Sequence, residues 1–195
     1  VAAWRVVIGG PRGSGKSTVS ASTYVALKEK GGSVGIHEID VYSDSLLCIL
    51  GAKPWAQRKK RKWAWFDPTI KKRIAEYEED THDIVLGDLP GKITNPFLSA
   101  MVAPAHAAII VSRTIEDIAE WEAFFAKHNI PVVLRIFSVK DDIPEHLQKS
   151  DMVLIDGLDR CLIPRDNQKL KDIVAEILNA HRAYTAASVP LVKTV

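Results

Sequence analysis

The chain has 195 residues with a formal net charge of +2; 47% of its side chains are hydrophobic and 26% charged. That length suits one domain whose core is covered on both faces of a sheet, and the composition excludes a disordered chain. So small a net charge makes no strong demand for nucleic acid, and no apolar run approaches the ~18 residues a membrane span needs. Cys48 and Cys161 lie far apart with no C-x-x-C spacing, which argues against a zinc site or a disulfide framework. Two buried thiols in a reducing compartment are expected, and with no signal peptide read at the start the cytoplasm is the predicted location. The chain opens at Val1, as a trimmed product or a piece of something longer would.

Strand-like apolar runs alternate with helical patterns along the whole length, which predicts βαβ units, a mostly parallel sheet of about six strands and one domain over 1–195. The first strand is Arg5 to Ile8. After it, Gly10-Pro11-Arg12-Gly13-Ser14-Gly15-Lys16-Ser17 fits G-x-x-x-x-G-K-[ST], a phosphate-binding loop, and Thr18 to Lys30 reads as the helix behind it. Glycines at 9, 10, 13 and 15 let successive amides turn inward around an anion. Lys16 supplies charge for the β- and γ-phosphates, Ser17 a hydroxyl for Mg²⁺, and the helix start its partial positive charge. Gly31-Gly32 ends that helix, and a second strand, Val34 to Asp40, ends on an acid. A short helix is expected over Ser45 to Leu50.

Lys53 to Arg73 holds nine of the 26 basic residues together with Trp55, Trp63 and Trp65, and its core at about 51–67 reads as an insert. A solvated basic face with its aromatics packed into the core accounts for the run most simply. The alternatives are phosphates of a nucleic acid or an acidic partner bound at Arg58 to Lys62, and a lid closing over substrate. Asp67 and Pro68 then start a helix with Ile70, Ile74 and Tyr77 on one face. The third strand, Asp83 to Asp88, runs into Leu89-Pro90-Gly91. Its terminal aspartate is placed to reach a water on Mg²⁺ beside Ser17, and Gly91 lets an amide approach the γ-phosphate.

Asn95-Pro96 opens a helix through Met101, Ala107 to Val111 is a buried strand, and Thr114 to Asp117 caps a helix with Ile118, Trp121 and Phe125 on one face. Val132 to Phe137 and Met152 to Ile155 complete the strands. The last helix follows an Asp166 cap, with Leu170, Ile173, Val174, Ile177 and Leu178 inward and a tail from Tyr184. The six histidines show no metal-ligand spacing.

With the loop at Gly10 to Ser17, Asp40 closing the second strand and Asp88-Leu89-Pro90-Gly91 the third, the sequence resembles the SIMIBI class of P-loop NTPases, which includes MinD/ParA-type ATPases, metal-centre maturation factors and molybdopterin-guanine-dinucleotide accessory proteins. The resemblance covers about the first 115 residues and implies a three-layer α/β/α sandwich that binds ATP or GTP with Mg²⁺. It implies Asp40 as a Mg²⁺ or water-orienting residue and Asp88 as an outer metal ligand, with Lys16 and Arg12 serving the transition state. It also implies Thr18, Ser14 and Gly13 at the phosphates and a homodimer across the nucleotide or another protein as partner. Two departures bear on this. The place of a signature lysine is taken by Pro11, with Arg12 beside it. The N-K-x-D of GTP-specific relatives is reduced to Lys140 and Asp142 without the asparagine, which leaves the base open with a lean to ATP. The functions so predicted are a nucleotide-driven switch, a small-molecule kinase, or a nucleotide-gated docking module.

Overall fold

A computed structural model describes residues 2–41, 44–55, 68–139, 152–156, 158 and 161–188. Most of the basic run, Arg58 to Lys62 included, lies outside them, as do Lys140 and Asp142. Six strands, β1 (Trp4–Gly9), β2 (Val34–Glu38), β3 (Ile84–Asp88), β4 (Ala107–Ser112), β5 (Val132–Val139) and β6 (Val153–Asp156), form one sheet in the order β2-β3-β1-β4-β5-β6. Every pairing is parallel. Parallel strands need crossovers, and the helices that supply them bury both faces of the sheet.

Alternation along the strands divides the core. Val6 and Ile8 of β1, Ile84 and Leu86 of β3, and Ala107, Ile109 and Val111 of β4 face α1 (Lys16–Glu29) and α6 (Gln168–Ser188), while Val7, Val85, Ala108 and Ile110 face the other layer. That layer is α3 (Pro68–Glu79), α4 (Leu98–Val102) and α5 (Ile115–Lys127), and α2 (Ser45–Ile49) lies at the carboxyl end of β2 beside α1. The chain leaves β1 for β2 and β3 on one side, then returns to β4 on the other. The carboxyl end of β1 is therefore a switch point, the crevice where open α/β sheets hold their ligands.

Helix ends follow local chemistry. Gly31 takes φ 78° and the amide of Gly32 reaches Leu27 O at 3.1 Å, closing α1 in a Schellman turn. Thr114 Oγ1 accepts from the Asp117 amide at 3.1 Å, but the other half of a capping box is absent: the Asp117 carboxylate takes the Ser112 hydroxyl at 3.3 Å. Three expectations are corrected. α4 begins at Leu98, because Asn95 Oδ1 accepts from the Phe97 amide at 3.0 Å and makes a turn of the segment expected to be helical. The cap of α6 is Asn167, not Asp166, since Asn167 Oδ1 accepts from Lys169 and Leu170 at 2.9 and 3.3 Å. The expected tail from Tyr184 is helical to Ser188, and Tyr184 packs on Trp4 and His106. Cys48 is buried but Cys161 is exposed. No helix among the described residues is long and apolar enough to cross a membrane.

Candidate nucleotide site

The loop from Gly10 to Gly15 joins β1 to α1 across the switch point. Gly10, Gly13 and Gly15 have positive φ. At Gly10 no other residue fits: φ is 136° and a Cβ would stand 1.9 Å from Val111 O. α1 starts at Lys16, earlier than the expected Thr18, so Lys16, Ser17 and Thr18 form its first turn and the Gly15 carbonyl receives the Val19 amide at 3.0 Å. Amides of a first turn have no partner within the helix, which suits them to an anion.

Lys16 is buried, and its Nζ donates to Pro11 O at 2.8 Å across the loop. Burial lowers its pKa, against the opposing charges of Asp88 and Asp40, and the Arg12 charge lowers it further. Asp88, at the end of β3, is 2% exposed. Its Oδ2 accepts from Ser17 Oγ at 2.6 Å, and its Oδ1 lies 3.4 Å from Ser20 Oγ. Burial pushes its pKa up to about 6 despite Lys16 and Ser17. A hydroxyl and a carboxylate already in contact, next to a buried ammonium, are an oxygen donor set suited to Mg²⁺ held at outer-sphere distance. Among the described residues the Ser14 hydroxyl in the loop is buried without a partner, and none lies within 4 Å of where a Gly13 Cβ would stand. Both features fit a phosphate entering the loop.

Asp40 lies beyond β2, which ends at Glu38. Its amide and that of Ile39 donate to Asp88 O at 3.2 and 3.0 Å, and its charge reaches Lys16 and Asp88. Gly91 sits against the loop: a Cβ there would be 2.6 Å from the Arg12 amide nitrogen. Arg12 itself is exposed at the rim. Lys16, Ser17, Asp40, Asp88, Gly91 and Arg12 are thus brought together around the carboxyl end of β1.

Residues not assigned to the phosphate loop from sequence complete the surroundings. A cleft of about 420 Å³ over the loop is lined also by Ser45 and Ile49 of α2, Arg113, Leu158 and Trp55, the last 37% exposed where core packing was one expectation. Glu38, register partner of Asp88 and 8% exposed, accepts the Leu46 amide at 3.0 Å on Oε1, and burial raises its pKa to about 8. The legible signal was parity: Val34, Ile36 and Glu38 alternate onto the face that carries α1. Arg73 of α3 donates through Nη1 to Glu38 O and, at 2.9 Å, to Asp40 O, fixing the end of β2. Among the described residues no cluster of histidine, cysteine and carboxylate side chains is arranged to hold a metal ion.

No protein-family model and no curated protein sequence matches the chain. Solved structures match its fold. The septum site-determining protein MinD from Pyrococcus horikoshii, complexed with Mg-ADP, superposes with a TM-score of 0.65 at 17% identity, over 93% of this chain and 99% of that one. A putative plasmid partition protein from Borrelia burgdorferi, bound to AMPPNP, gives 0.63 at 12% identity over 92% and 100%. Cobyrinic acid a,c-diamide synthase from Mycobacterium smegmatis, with an ATP analogue and magnesium, gives 0.61 at 13% over 91% and 94%. The chain shares the parallel α/β fold of these three structures, the fold that the sequence resemblance implied.

Proposed function

We propose that the chain binds a nucleoside triphosphate with Mg²⁺, ATP in preference to GTP, and hydrolyses it slowly to switch its contact with a protein partner or a second copy. The observation that carries this is the Ser17 hydroxyl held 2.6 Å from the buried Asp88 carboxylate at the mouth of a glycine loop. When bound, Mg²⁺ neutralises charge between the phosphate oxygens. Lys16 exchanges the Pro11 carbonyl for a phosphate oxygen, the loop amides of residues 13 to 18 hold the remainder, and Asp40 orients the attacking water. Arg12, exposed at the rim, supplies a further positive charge. The adenine nucleotides carried by the structurally similar proteins support ATP, as does the missing asparagine before Lys140.

The extension of the cleft to Ser45, Ile49 and Trp55 favours one second reading, a kinase whose acceptor lies against α2. Thermal unfolding with ATP, GTP and their diphosphates, with and without Mg²⁺, tests the binding. A hundredfold excess of ligand over Kd adds about 2.7 kcal/mol of stability. Lys16→Ala abolishes that gain if the reading is right; an equal gain in the variant, or none in the wild type, refutes it. Phosphate release without any acceptor separates hydrolase from kinase.

A further inference from the structure

A second cleft of about 220 Å³ opens on the far side of α2, between β2 and α3, lined by Ile36, His37, Glu38, Leu47, Arg73 and Glu76. It has room for about seven waters at ~30 Å³ each, the scale of a small amino acid and well short of a nucleotide. Its polar groups are incompletely used. Glu38 is 8% exposed, yet among the described residues only Oε1 is hydrogen-bonded; Oε2 is buried without a partner among them, a state buried oxygens rarely tolerate. Arg73 spends Nη1 on the carbonyls of Glu38 and Asp40, and no hydrogen bond among the described residues reaches its Nε–Nη2 edge, the side that takes a carboxylate through two parallel bonds. His37 is committed elsewhere, with Nε2 on Asp80 at 2.6 Å. Ile36 and Leu47, the latter 38% exposed, give an apolar wall.

We propose that this cleft binds a small zwitterion of the α-amino-acid class. The carboxylate sits on the Nε–Nη2 edge of Arg73, the ammonium supplies the donor that Glu38 Oε2 lacks and its charge keeps that carboxyl ionised, with Glu76 beside it, and a short apolar side chain lies on Ile36 and Leu47. Complementarity at both ends is the argument. A simple amine leaves Arg73 unused and a simple carboxylate leaves Glu38 unused, and an unmet buried polar group is what separates a fitting ligand from a near analogue. The binding itself does not depend on the nucleotide reading. Only its consequence does: Leu47 lines this cleft while Ser45 and Ile49 line the other, and the Leu46 amide is held by Glu38, so α2 is shared between them.

Calorimetric titration of the nucleotide-free full chain with free amino acids bearing small apolar side chains, and with their methyl esters and N-acetyl derivatives, tests the proposal. The free forms bind and each blocked form binds roughly tenfold or more weakly, a difference of about 1.4 kcal/mol. Glu38→Gln, which keeps an acceptor for Leu46 but turns a donor toward the ammonium, loses the binding. So does Leu47→Trp, which fills the cleft from the surface and guards against a folding defect in the first variant. No heat from any free amino acid, or equal binding of the blocked forms, overturns it. Because no nucleotide is present, that failure leaves the proposed ATP site untouched.

Discussion

Asp88→Asn removes a buried charge while keeping the shape of the side chain and an acceptor for the Ser17 hydroxyl. In the folded protein the carboxyl is raised from 3.8 to about 6, with burial the largest cause. An acid that holds its proton more tightly when folded favours the native state most below the unfolded pKa, and that contribution is lost as pH climbs through the folded value. Two units at about 1.4 kcal/mol each set a ceiling near 3 kcal/mol for what the ionised group costs at pH 8. The folded value already contains the attraction of Lys16, so a net gain of about 2–3 kcal/mol is expected. Urea unfolding at pH 4 and at pH 8 measures it. The two proteins should nearly coincide at pH 4 and separate at pH 8 with the variant more stable, while Mg²⁺-dependent stabilisation by ATP is lost. Glu38 titrates in the same window, and loss of the Asp88 charge lowers its pKa in the variant, which adds to the separation at pH 8 in the same direction. A variant less stable than wild type at pH 8, or a difference independent of pH, would refute the argument that desolvation dominates at this carboxylate.

Three further substitutions address the scaffold. Tyr77→Phe removes a buried hydroxyl that has no partner among the described residues and should leave stability unchanged or raise it by about 1 kcal/mol in denaturant unfolding. Gly10→Ala drives a methyl into Val111 O from a backbone at φ 136°, and a loss of about 3 kcal/mol or more, seen as a collapsed thermal midpoint, is expected. Asn167→Ala should cost about 1 kcal/mol and Asp166→Ala under about 0.5, because only the former side chain caps α6; the reverse order would show the cap misassigned.

The glycine loop was legible because its shape depends on backbone, and glycine spacing records backbone directly. Asp88 was legible as an acid ending an apolar strand, where little besides a ligand justifies a charge. Glu38 was not singled out: strand parity gives its face, but only the β2–β3 register places it beside Asp88. The α6 cap was misplaced by one residue because Asp and Asn serve equally well as caps and only geometry selects between them. The extension of α6 past Tyr184 depends on Trp4 and His106, far away in sequence, which no local pattern reveals. The start of α4 was missed since Asn-Pro opens turns as readily as helices.

The contact between Gly91 and Arg12 has a mechanical corollary. With no space for a methyl group between the two backbones, the rim of the cradle and the segment leaving β3 are in effect geared together. A shift of either would press on the other, and the segment leaving β3 continues to Asn95 and the start of α4, on the opposite face of the sheet from α1.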